Sequence, residues 1–509
     1  MPSDVPSDRA DAPADHLTLA EASGRWVLTA TVLGSSLAML DATIVNVALP
    51  RIGREFGASL AGLQWTVNAY TLTLAGLILL GGSLGDRFGR RRVFMIGVVW
   101  FALASALCGI APDIGVLVTA RALQGIGGAL LTPGALAIIQ ASFSPADRPR
   151  AIGAWSGLGG VAGAIGPFLG GWIIAAAGWR WAFLLNLPLA ALVVAVAARH
   201  VPESRDEAEY HGFDVLGAVL AAAALTGVTY ALTEAPSGAT AAVTVAAVLG
   251  VAAGVAFVLV ERRRSAGHGP SPMLPLGVFG SRQFTAVNIV TFIVYGGMGV
   301  QFFLLVVDLQ VVAGYSPIVA GTALLPVTIL MLLLSARAGA LAQRFGPRYL
   351  MTGGLIVAAA GMTLTLRIGP HASYVADVLP ATVVFGLGLS GVVAPLTATV
   401  LATADMRHAG VASGVNNAVA RAAGLLAVAG IPPAVGLRGT AYNDPAVFGH
   451  GFHTAMAISA VLLLAGAALT FLIVHDDVLR PDQATASPEC GYNCPVGAPP
   501  LEPGTPSGV

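Results

Sequence analysis

Long runs of apolar residues alternate with short polar segments along most of the chain. Many of these runs exceed the roughly 18 residues that a helix needs to cross the hydrocarbon core of a bilayer. Because a helix satisfies its own backbone hydrogen bonds in lipid, the runs predict membrane-spanning helices. About fourteen spans are predicted, at 26–49, 64–82, 92–111, 115–140, 151–176, 181–199, 214–234, 240–260, 284–308, 318–338, 349–367, 376–402, 409–436 and 452–474.

The composition agrees with a protein that is embedded in a bilayer. Hydrophobic residues make up 56% of the 509 residues, charged residues make up 10%, and the mean hydropathy is +0.79. The formal net charge is zero, which argues against nucleic acid as a partner. The chain has no G-x-x-x-x-G-K-[ST] pattern, so we expect no bound nucleotide and no ATP drive.

The arginines in alternate loops predict the orientation in the membrane. One set of loops holds most of them, including the clusters 90–92 and 262–264. The other set holds Arg51, Arg54, Arg180, Arg367 and Arg438. Since arginine-rich loops stay on the cytoplasmic side, and the number of spans is even, we expect both termini in the cytoplasm and the protein in the plasma membrane.

Polar segments and an internal repeat predict the domain organisation. The sequence GSLGDRFGRRR at 82–92 has a degraded copy, GALAQRFGPR, at 339–348, and 153–166 resembles 410–424. This repeat predicts two related halves of about six helices. The predicted segments are a disordered tail (1–25), a first six-helix bundle (26–199), a cytoplasmic connector (200–213), two inserted helices (214–260), a cytoplasmic loop (261–283), a second six-helix bundle (284–474) and a disordered tail (475–509).

The loop at 82–93 combines small residues with Asp86 and the arginines Arg87, Arg90 and Arg91. This pattern resembles the signature loop between helices 2 and 3 of major facilitator superfamily transporters. The resemblance implies a latch that holds the cytoplasmic side closed in one conformation. The alternative is an ordinary arginine-rich cytoplasmic loop.

A fourteen-span chain with two inserted central helices resembles the drug:proton antiporter branch of that superfamily. A second motif supports this branch, because its small residues and proline resemble the helix 5 motif of the antiporters: Gly153, Gly166, Pro167, Gly170 and Gly171. The alternative is a common face of small residues on which helices pack. The resemblance implies an all-α polytopic membrane protein with the major facilitator fold.

Asp41 is a lone carboxylate in the apolar run Leu40-Asp-Ala-Thr-Ile-Val, so it must be protonated, paired or in contact with water. The run resembles the helix 1 motif in which the acid takes part in coupling. Arg121, in Arg-Ala-Leu-Gln-Gly-Ile-Gly-Gly, resembles the buried arginine of the helix 4 motif. The two residues lie about 13 Å and about 9 Å from the outer ends of their helices, which predicts that they meet. The alternatives are a structural acid and an arginine that reaches the interface.

Other polar residues in the spans are candidates for a central cavity or for a second coupling site. Asp308, near the outer end of the ninth span, is either a second proton or cation site or a solvated interfacial acid. Arg421 lies near the middle of the membrane and either contacts substrate or supports helix packing. The candidate cavity residues are Asn46, Tyr70, Gln124, Tyr295, Gln301, Asn417 and Arg421.

These patterns predict a transporter rather than an enzyme. The histidines fall in predicted loops, tails or span ends, and no paired acids mark an acid–base centre. The pair Cys490 and Cys494 lacks nearby histidines, so we expect no metal and no cofactor. The leading hypothesis is a monomeric exporter of small amphiphilic compounds, driven by protons through alternating access. The alternative is an exporter or flippase of a narrow endogenous substrate, such as the producer's own metabolite, an amino acid or a lipid.

Overall fold

The structure is a computed structural model that describes residues 17–144, 147–205, 214–235, 238, 240–266, 274, 276–403, 409–476 and 478–479. These residues are almost entirely helical. The helices are α1 (Ala22–Phe56), α2 (Leu60–Phe88), α3 (Arg90–Gly109), α4 (Ile114–Ser142), α5 (Arg148–Ala176), α6 (Arg180–Leu184), α7 (Asn186–His200), α8 (Val215–Glu234), α9 (Ala241–Ser265), α10 (Arg282–Val311), α11 (Pro317–Thr322), α12 (Leu325–Phe345), α13 (Pro347–Leu364), α14 (Leu379–Ala402), α15 (Ala409–Ala434) and α16 (Pro445–Ile473).

The described helices are long and apolar enough to form 13 membrane spans, and α2 makes a fourteenth. The pairs α6 with α7 and α11 with α12 each count as one span. Helix α2 bends by 50° between Leu60–Ile78 and Leu80–Phe88. The predicted class, an all-α polytopic membrane protein with about fourteen spans, is therefore confirmed.

The first helix begins earlier than the apolar pattern predicts, at Ala22 rather than at residue 26. The residues before it are held against the end of α4, since the backbone N–H of Leu17 donates to the carbonyl of Ser142 over 2.8 Å. Segment 17–21 is thus fixed by backbone contacts, unlike the disordered tail expected there. Residues 1–16, 206–213 and 480–509, which include Cys490 and Cys494, lie outside the described residues.

The helices form two halves and an inserted hairpin. Helices α1 to α7 pack together in one half, and α10 to α16 pack together in the other. Helix α8 packs against α2 of the first half and α15 of the second, whereas α9 packs mainly on α8. The indole N–H of Trp65 donates to the carboxylate of Glu234 over 2.9 Å. The inserted α8 therefore covers one seam between the halves.

The halves are joined at one end of the bundle, which we term the closed end. There, one apolar core combines residues of α1, α2 and α4 with residues of α10, α15 and α16. Backbone and side-chain hydrogen bonds cross the seam: Leu60 N–H donates to the Gly439 carbonyl over 2.6 Å, and Gln64 Nε2 donates to the Val428 carbonyl over 2.5 Å. The hydroxyl of Tyr442 donates to the Ala58 carbonyl over 2.5 Å.

At the opposite end, which we term the open end, each half has its own apolar core. One core contains residues of α1 to α4 and α7, including Phe94 and Phe143. The other contains residues of α10 and α12 to α16, including Phe284 and Phe385. The described part of the bundle thus consists of two units that share a core at one end only.

The last span of each half ends in a carboxylate that docks on the loop between the second and third spans of the same half. Glu203 accepts from the Arg91 backbone N–H over 3.0 Å, and Asp476 accepts from the Arg348 N–H over 3.2 Å. A Cβ at Gly89 would lie 2.6 Å from Glu203, and one at Gly346 would lie 2.4 Å from Asp476. Both glycines have positive φ, 106° and 93°, a conformation that favours glycine. The internal repeat therefore extends to this contact.

Candidate functional site

Glycines on α4 bring this helix close enough to its neighbours to place Arg121 in the interior. A Cβ at Gly125 would lie 2.4 Å from the Tyr70 carbonyl on α2, and one at Gly127 would lie 2.6 Å from the Phe101 amide nitrogen on α3. Small residues allow such close approach of backbones in a membrane bundle. As a result, Arg121 Nε donates to the carbonyl of Thr66 on α2 over 3.0 Å.

Arg121 and Asp41 form an ion pair between α4 and α1. Each residue is only 1% exposed. The structure thus brings together the two charged residues that the sequence predicts to meet. A buried pair of this kind is tolerated only where further hydrogen bonds satisfy the remaining polar atoms.

Three polar side chains complete the surroundings of the pair. Gln124 Nε2 donates to Asp41 Oδ1 over 2.9 Å, and Arg121 Nη1 donates to Gln124 Oε1 over 2.6 Å. Asn186 Nδ2 at the start of α7 donates to the same Asp41 oxygen over 3.1 Å and to Ser105 Oγ over 2.9 Å. Ser105 Oγ in turn donates to the carbonyl of Phe183 over 2.9 Å. Helices α4 and α7 therefore supply the donors that contact the carboxylate of α1, and Ser105 of α3 accepts from both amides.

This network presents hydrogen-bond donors to both carboxylate oxygens of Asp41. Both carboxylate oxygens accept hydrogen bonds, and one of them also faces the guanidinium. A proton on Asp41 removes the negative charge and replaces an acceptor with a donor, so it weakens every bond that reaches that oxygen. The arrangement can therefore link proton binding at Asp41 to the positions of α1, α4 and α7.

Tyr70 on α2 lies against the ion pair. Arg121 Cζ lies 4.4 Å from the centre of the Tyr70 ring. A second cationic side chain, Arg421, lies on α15, which packs on α2 of the first half and on α10 of the second. Arg421 is partly buried, and its Nε has no hydrogen-bond partner in the described structure. Arg421 is thus a second, partly buried cation on a helix at the seam between the halves.

The other predicted cavity residues lie in different environments. Gln124 is fully buried and belongs to the ion-pair network, not to an open wall. Gln301 is also fully buried, and its amide oxygen and nitrogen lack partners in the described structure. Asn46 is partly buried with an unpartnered amide oxygen, whereas Asn417 is exposed. The structure therefore places the predicted amide side chains in separate environments.

Asp308 is not solvated in this conformation. It is fully buried in α10, and both carboxylate oxygens lack hydrogen-bond partners in the described structure. Its neighbours in α10, including Leu305 and Leu309, belong to the apolar core of the closed end. Asp308 therefore forms no part of the Asp41–Arg121 network.

The glycines of the helix 5 motif have two different roles in packing. A Cβ at Gly166 would lie 2.0 Å from Thr43 Oγ1, and one at Gly170 would lie 2.9 Å from Ile44, so both glycines allow α5 to pack on α1. A Cβ at Gly171 would lie 2.6 Å from the Pro317 carbonyl of α11 in the other half. The reciprocal contact joins Gly321 of α11 to the Pro167 carbonyl. Gly153 has nothing within 4 Å.

The residues of the predicted latch make their described contacts within the first half. Arg90 Nε donates to Asp86 over 2.8 Å. Arg91 lies 3.7 Å from the Glu203 carboxylate and donates from Nη1 to the Val201 carbonyl over 3.0 Å. Arg87 is exposed, with its guanidinium carbon 5.2 Å from the Phe88 ring centre. In this conformation the loop is thus tied to the end of α7.

Sequence reasoning missed Asn186 and Ser105, which orient Asp41, and Glu203, which holds the signature loop. A signal existed for Asn186, because it is a lone amide within the predicted sixth span. Ser105 gave no signal, since a serine is unremarkable in a membrane helix. The described residues contain no group of three or more His, Cys, Asp or Glu side chains that fits a metal ion.

The two joined halves, the inserted hairpin and the buried ion pair define a polytopic membrane protein of the transporter type. The family model of the Major Facilitator Superfamily matches residues 31–212 and 194–428. The chain belongs to this superfamily, as its sequence motifs predict.

Two relatives and one solved structure illustrate the similarity. The puromycin resistance protein of Streptomyces alboniger is 36% identical over 90% of this chain and 93% of its own length. The multidrug resistance protein Stp of Mycobacterium tuberculosis is 38% identical over 77% of this chain and 72% of its own. A bacterial homologue of the human lysosomal transporter Spinster, solved in an inward-facing and unoccupied conformation, has a TM-score of 0.61 at 18% identity and covers 89% of this chain and 97% of its own. This last similarity concerns the fold.

Proposed function

We propose that the protein is a proton-coupled exporter of small amphiphilic compounds in the plasma membrane. The observation that carries this proposal is the Asp41–Arg121 pair, buried in one half of a bundle whose halves are joined at one end only. Relatives that are named for puromycin resistance and multidrug resistance support export as the direction. The protein works as a monomer in the bilayer, because each chain contains both halves of the alternating-access unit.

The orientation follows from the arginine-rich loops. If both termini are cytoplasmic, the open end of the bundle faces the cytoplasm, because α1 begins there. The structure then corresponds to the cytoplasm-open state, in which a compound enters the interior from inside the cell. The signature loop supports this assignment, since Asp86 pairs with Arg90 of its own loop and leaves the second half free to separate.

Proton coupling follows from the form of Asp41 that this state favours. The carboxylate is held by Arg121, Gln124 and Asn186, which stabilise its ionised form while the cytoplasmic end is open. We propose that Asp41 takes up a proton from outside when the opposite end is open. Its return to the ion pair releases the proton to the cytoplasm and exchanges it for a molecule of substrate.

The first test compares the native protein with Asp41→Asn in an efflux-deficient bacterium, across chemically varied antibiotics, dyes and cationic biocides. We expect the native protein to protect against some compounds and Asp41→Asn to lose this protection, because an amide cannot carry the proton. The matched control is Asp113→Asn, since Asp113 is exposed and caps α4, a role that asparagine also fills. Membrane abundance of the variants must be equal.

Two outcomes would contradict parts of this proposal. Protection by Asp41→Asn at the native level would leave export standing and move coupling to another acid, with Asp308 next to test. A lack of protection by the native protein against every compound would contradict broad export. A narrow endogenous substrate would then become the leading hypothesis.

A further inference from the structure

Arg421 is a charged side chain in the interior for which the described structure shows no counter-ion. It lies twelve residues after the start of α15, near the middle of the span. None of the ion pairs in the described structure includes it, and its Nε is buried without a hydrogen-bond partner. Helix α15 packs on α2 of the first half as well as on α10 of the second, so Arg421 lies on a helix at the seam between the halves. A guanidinium at this depth calls for an acid, a carbonyl or an anionic ligand.

The carboxylates of the described interior do not serve Arg421. Asp41 is already neutralised by Arg121 and saturated by amide donors. Asp308 lies in the apolar core of the closed end, away from the open interior. Since Asp41 and Arg121 neutralise each other, none of the described ion pairs supplies a counter-ion to Arg421.

We propose that Arg421 forms a substrate subsite that selects acidic compounds over neutral and cationic ones, with the anionic oxygen on the guanidinium. This inference rests on the proposed export function and deepens it by naming a substrate class. A guanidinium binds a carboxylate or phenolate oxygen through charge-assisted hydrogen bonds, and it does so more strongly where water is partly excluded.

The surroundings of Arg421 predict that the subsite discriminates between ligands by their charge. An acidic oxygen on a ligand supplies the partner that Arg421 Nε lacks. A neutral ester of the same shape leaves the guanidinium without a counter-ion, and a cationic analogue places two positive charges together. Selection by charge therefore follows from a guanidinium in the bundle that has no counter-ion among the described residues.

The test uses the full-length protein in lipid nanodiscs and four probes of one shape: anthraquinone-2-carboxylate, its methyl ester, its carboxamide and the corresponding trimethylammonium-methyl compound. Binding is measured by equilibrium dialysis against empty nanodiscs. We expect the carboxylate to bind the native protein at least about tenfold more tightly than the ester or the cation. This preference is lost in Arg421→Gln and partly kept in Arg421→Lys. It is unchanged in Arg438→Gln, which removes the same charge from an exposed loop.

Equal binding of the carboxylate and the ester by the native protein overturns the proposal, and so does binding of none of the probes. A carboxylate preference that survives in Arg421→Gln also overturns it, because another group must then read the charge. If Arg421→Gln does not fold, the comparison of probes on the native protein still decides the substrate class. Export itself is decided separately by the tolerance assay with Asp41→Asn, so that the failure of one proposal is distinguishable from the failure of the other.

Discussion

Asp41 and Arg121 form a buried ion pair, a costly arrangement that the surrounding polar groups offset. A buried ion pair contributes little net stability, because desolvation opposes the attraction between the charges. Here Gln124, Asn186 and the Thr66 carbonyl satisfy the remaining polar atoms of the two side chains. Removal of a single partner is a much larger perturbation than removal of both.

We therefore predict that Arg121→Gln lowers stability more than the double variant Asp41→Asn/Arg121→Gln. The single change leaves an uncompensated carboxylate in the interior, at a cost of about 3–5 kcal/mol. The double change leaves neutral side chains that hydrogen-bond to each other. Thermal unfolding in detergent measures the difference, and transport is lost in both variants. Equal melting temperatures for the single and double variants would show that the pair is not needed for packing of α1 on α4.

The residues that the sequence predicted are those whose charge contrasts with an apolar run. Asp41 and Arg121 could be paired by depth alone, because each stands alone in its helix. Ser105 and Asn186 could not be assigned to this site from the sequence, since the sequence does not fix the rotation of α3 and α7 about their axes. The same uncertainty explains why Gln124 was expected in the cavity wall but lies beside Asp41, one turn from Arg121 on the same face of α4.

At the scale of the helix, the glycines of α5 separate two kinds of contact. Gly166 and Gly170 hold α5 on α1 within one half, whereas Gly171 holds α5 on α11 across the seam. The sequence predicted the motif but not this division, which depends on which faces of α5 meet α1 and α11. The partner of α5 in this contact is the short helix α11. The apolar pattern did not predict α11 as a separate helix, because it lies in one continuous run with α12.

We predict that Gly171→Ala weakens the closed end. The new methyl group would lie 2.6 Å from a backbone carbonyl of α11, and this atom cannot move without a shift of the helix. Overpacking of about 1–3 kcal/mol would change the ratio of the two conformations roughly 5- to 150-fold towards opening of this end. Spin labels at Arg51 and Thr440, both exposed at the closed end, report this change as a longer distance.

Gly153→Ala is the matched control for this substitution, because it makes the same chemical change on the same helix at a position with nothing within 4 Å. We expect its distance distribution to equal that of the native protein. A native distribution in Gly171→Ala would show that the closed end absorbs the added methyl group, and the packing argument would then be wrong.

Repeated contacts between elements were harder to predict than repeated motifs. Glu203 and Asp476 dock on equivalent loops of the two halves, yet the stretches around them, Pro-Glu-Ser-Arg and His-Asp-Asp-Val, have little in common. A single carboxylate in a polar connector carries no periodic signal. The equivalence is visible only in the structure, where each carboxylate accepts from a backbone N–H of the equivalent loop in its own half.

For the whole molecule, the two ends of the bundle differ in how their cores are built. One apolar core extends across both halves at the closed end, whereas the open end has one core for each half. A transition between the two conformations must therefore break the shared core and its hydrogen bonds. The inserted α8 contacts both halves along one seam, so it has to follow this movement.

We predict that a covalent link across the closed end stops transport. Ser59→Cys and Thr440→Cys flank the hydrogen bond between Leu60 and Gly439, and both positions are exposed. In a background with Cys108, Cys490 and Cys494 replaced by alanine, a short bifunctional thiol reagent should trap the cytoplasm-open state, because the halves can no longer separate there. Proton-driven uptake of a transported compound into everted vesicles measures the loss, and a reducible reagent allows its recovery.

The pair Arg54→Cys and Ser59→Cys serves as the control for this experiment, since both positions lie at the closed end but within one half. Cross-linking of this pair leaves the halves free to separate and should leave transport unchanged. If the link across the seam also leaves transport unchanged, the closed end does not open during the cycle. Compounds would then have to leave by a path that keeps the shared core intact, such as the seam between α5 and α12, on which the inserted α8 does not pack.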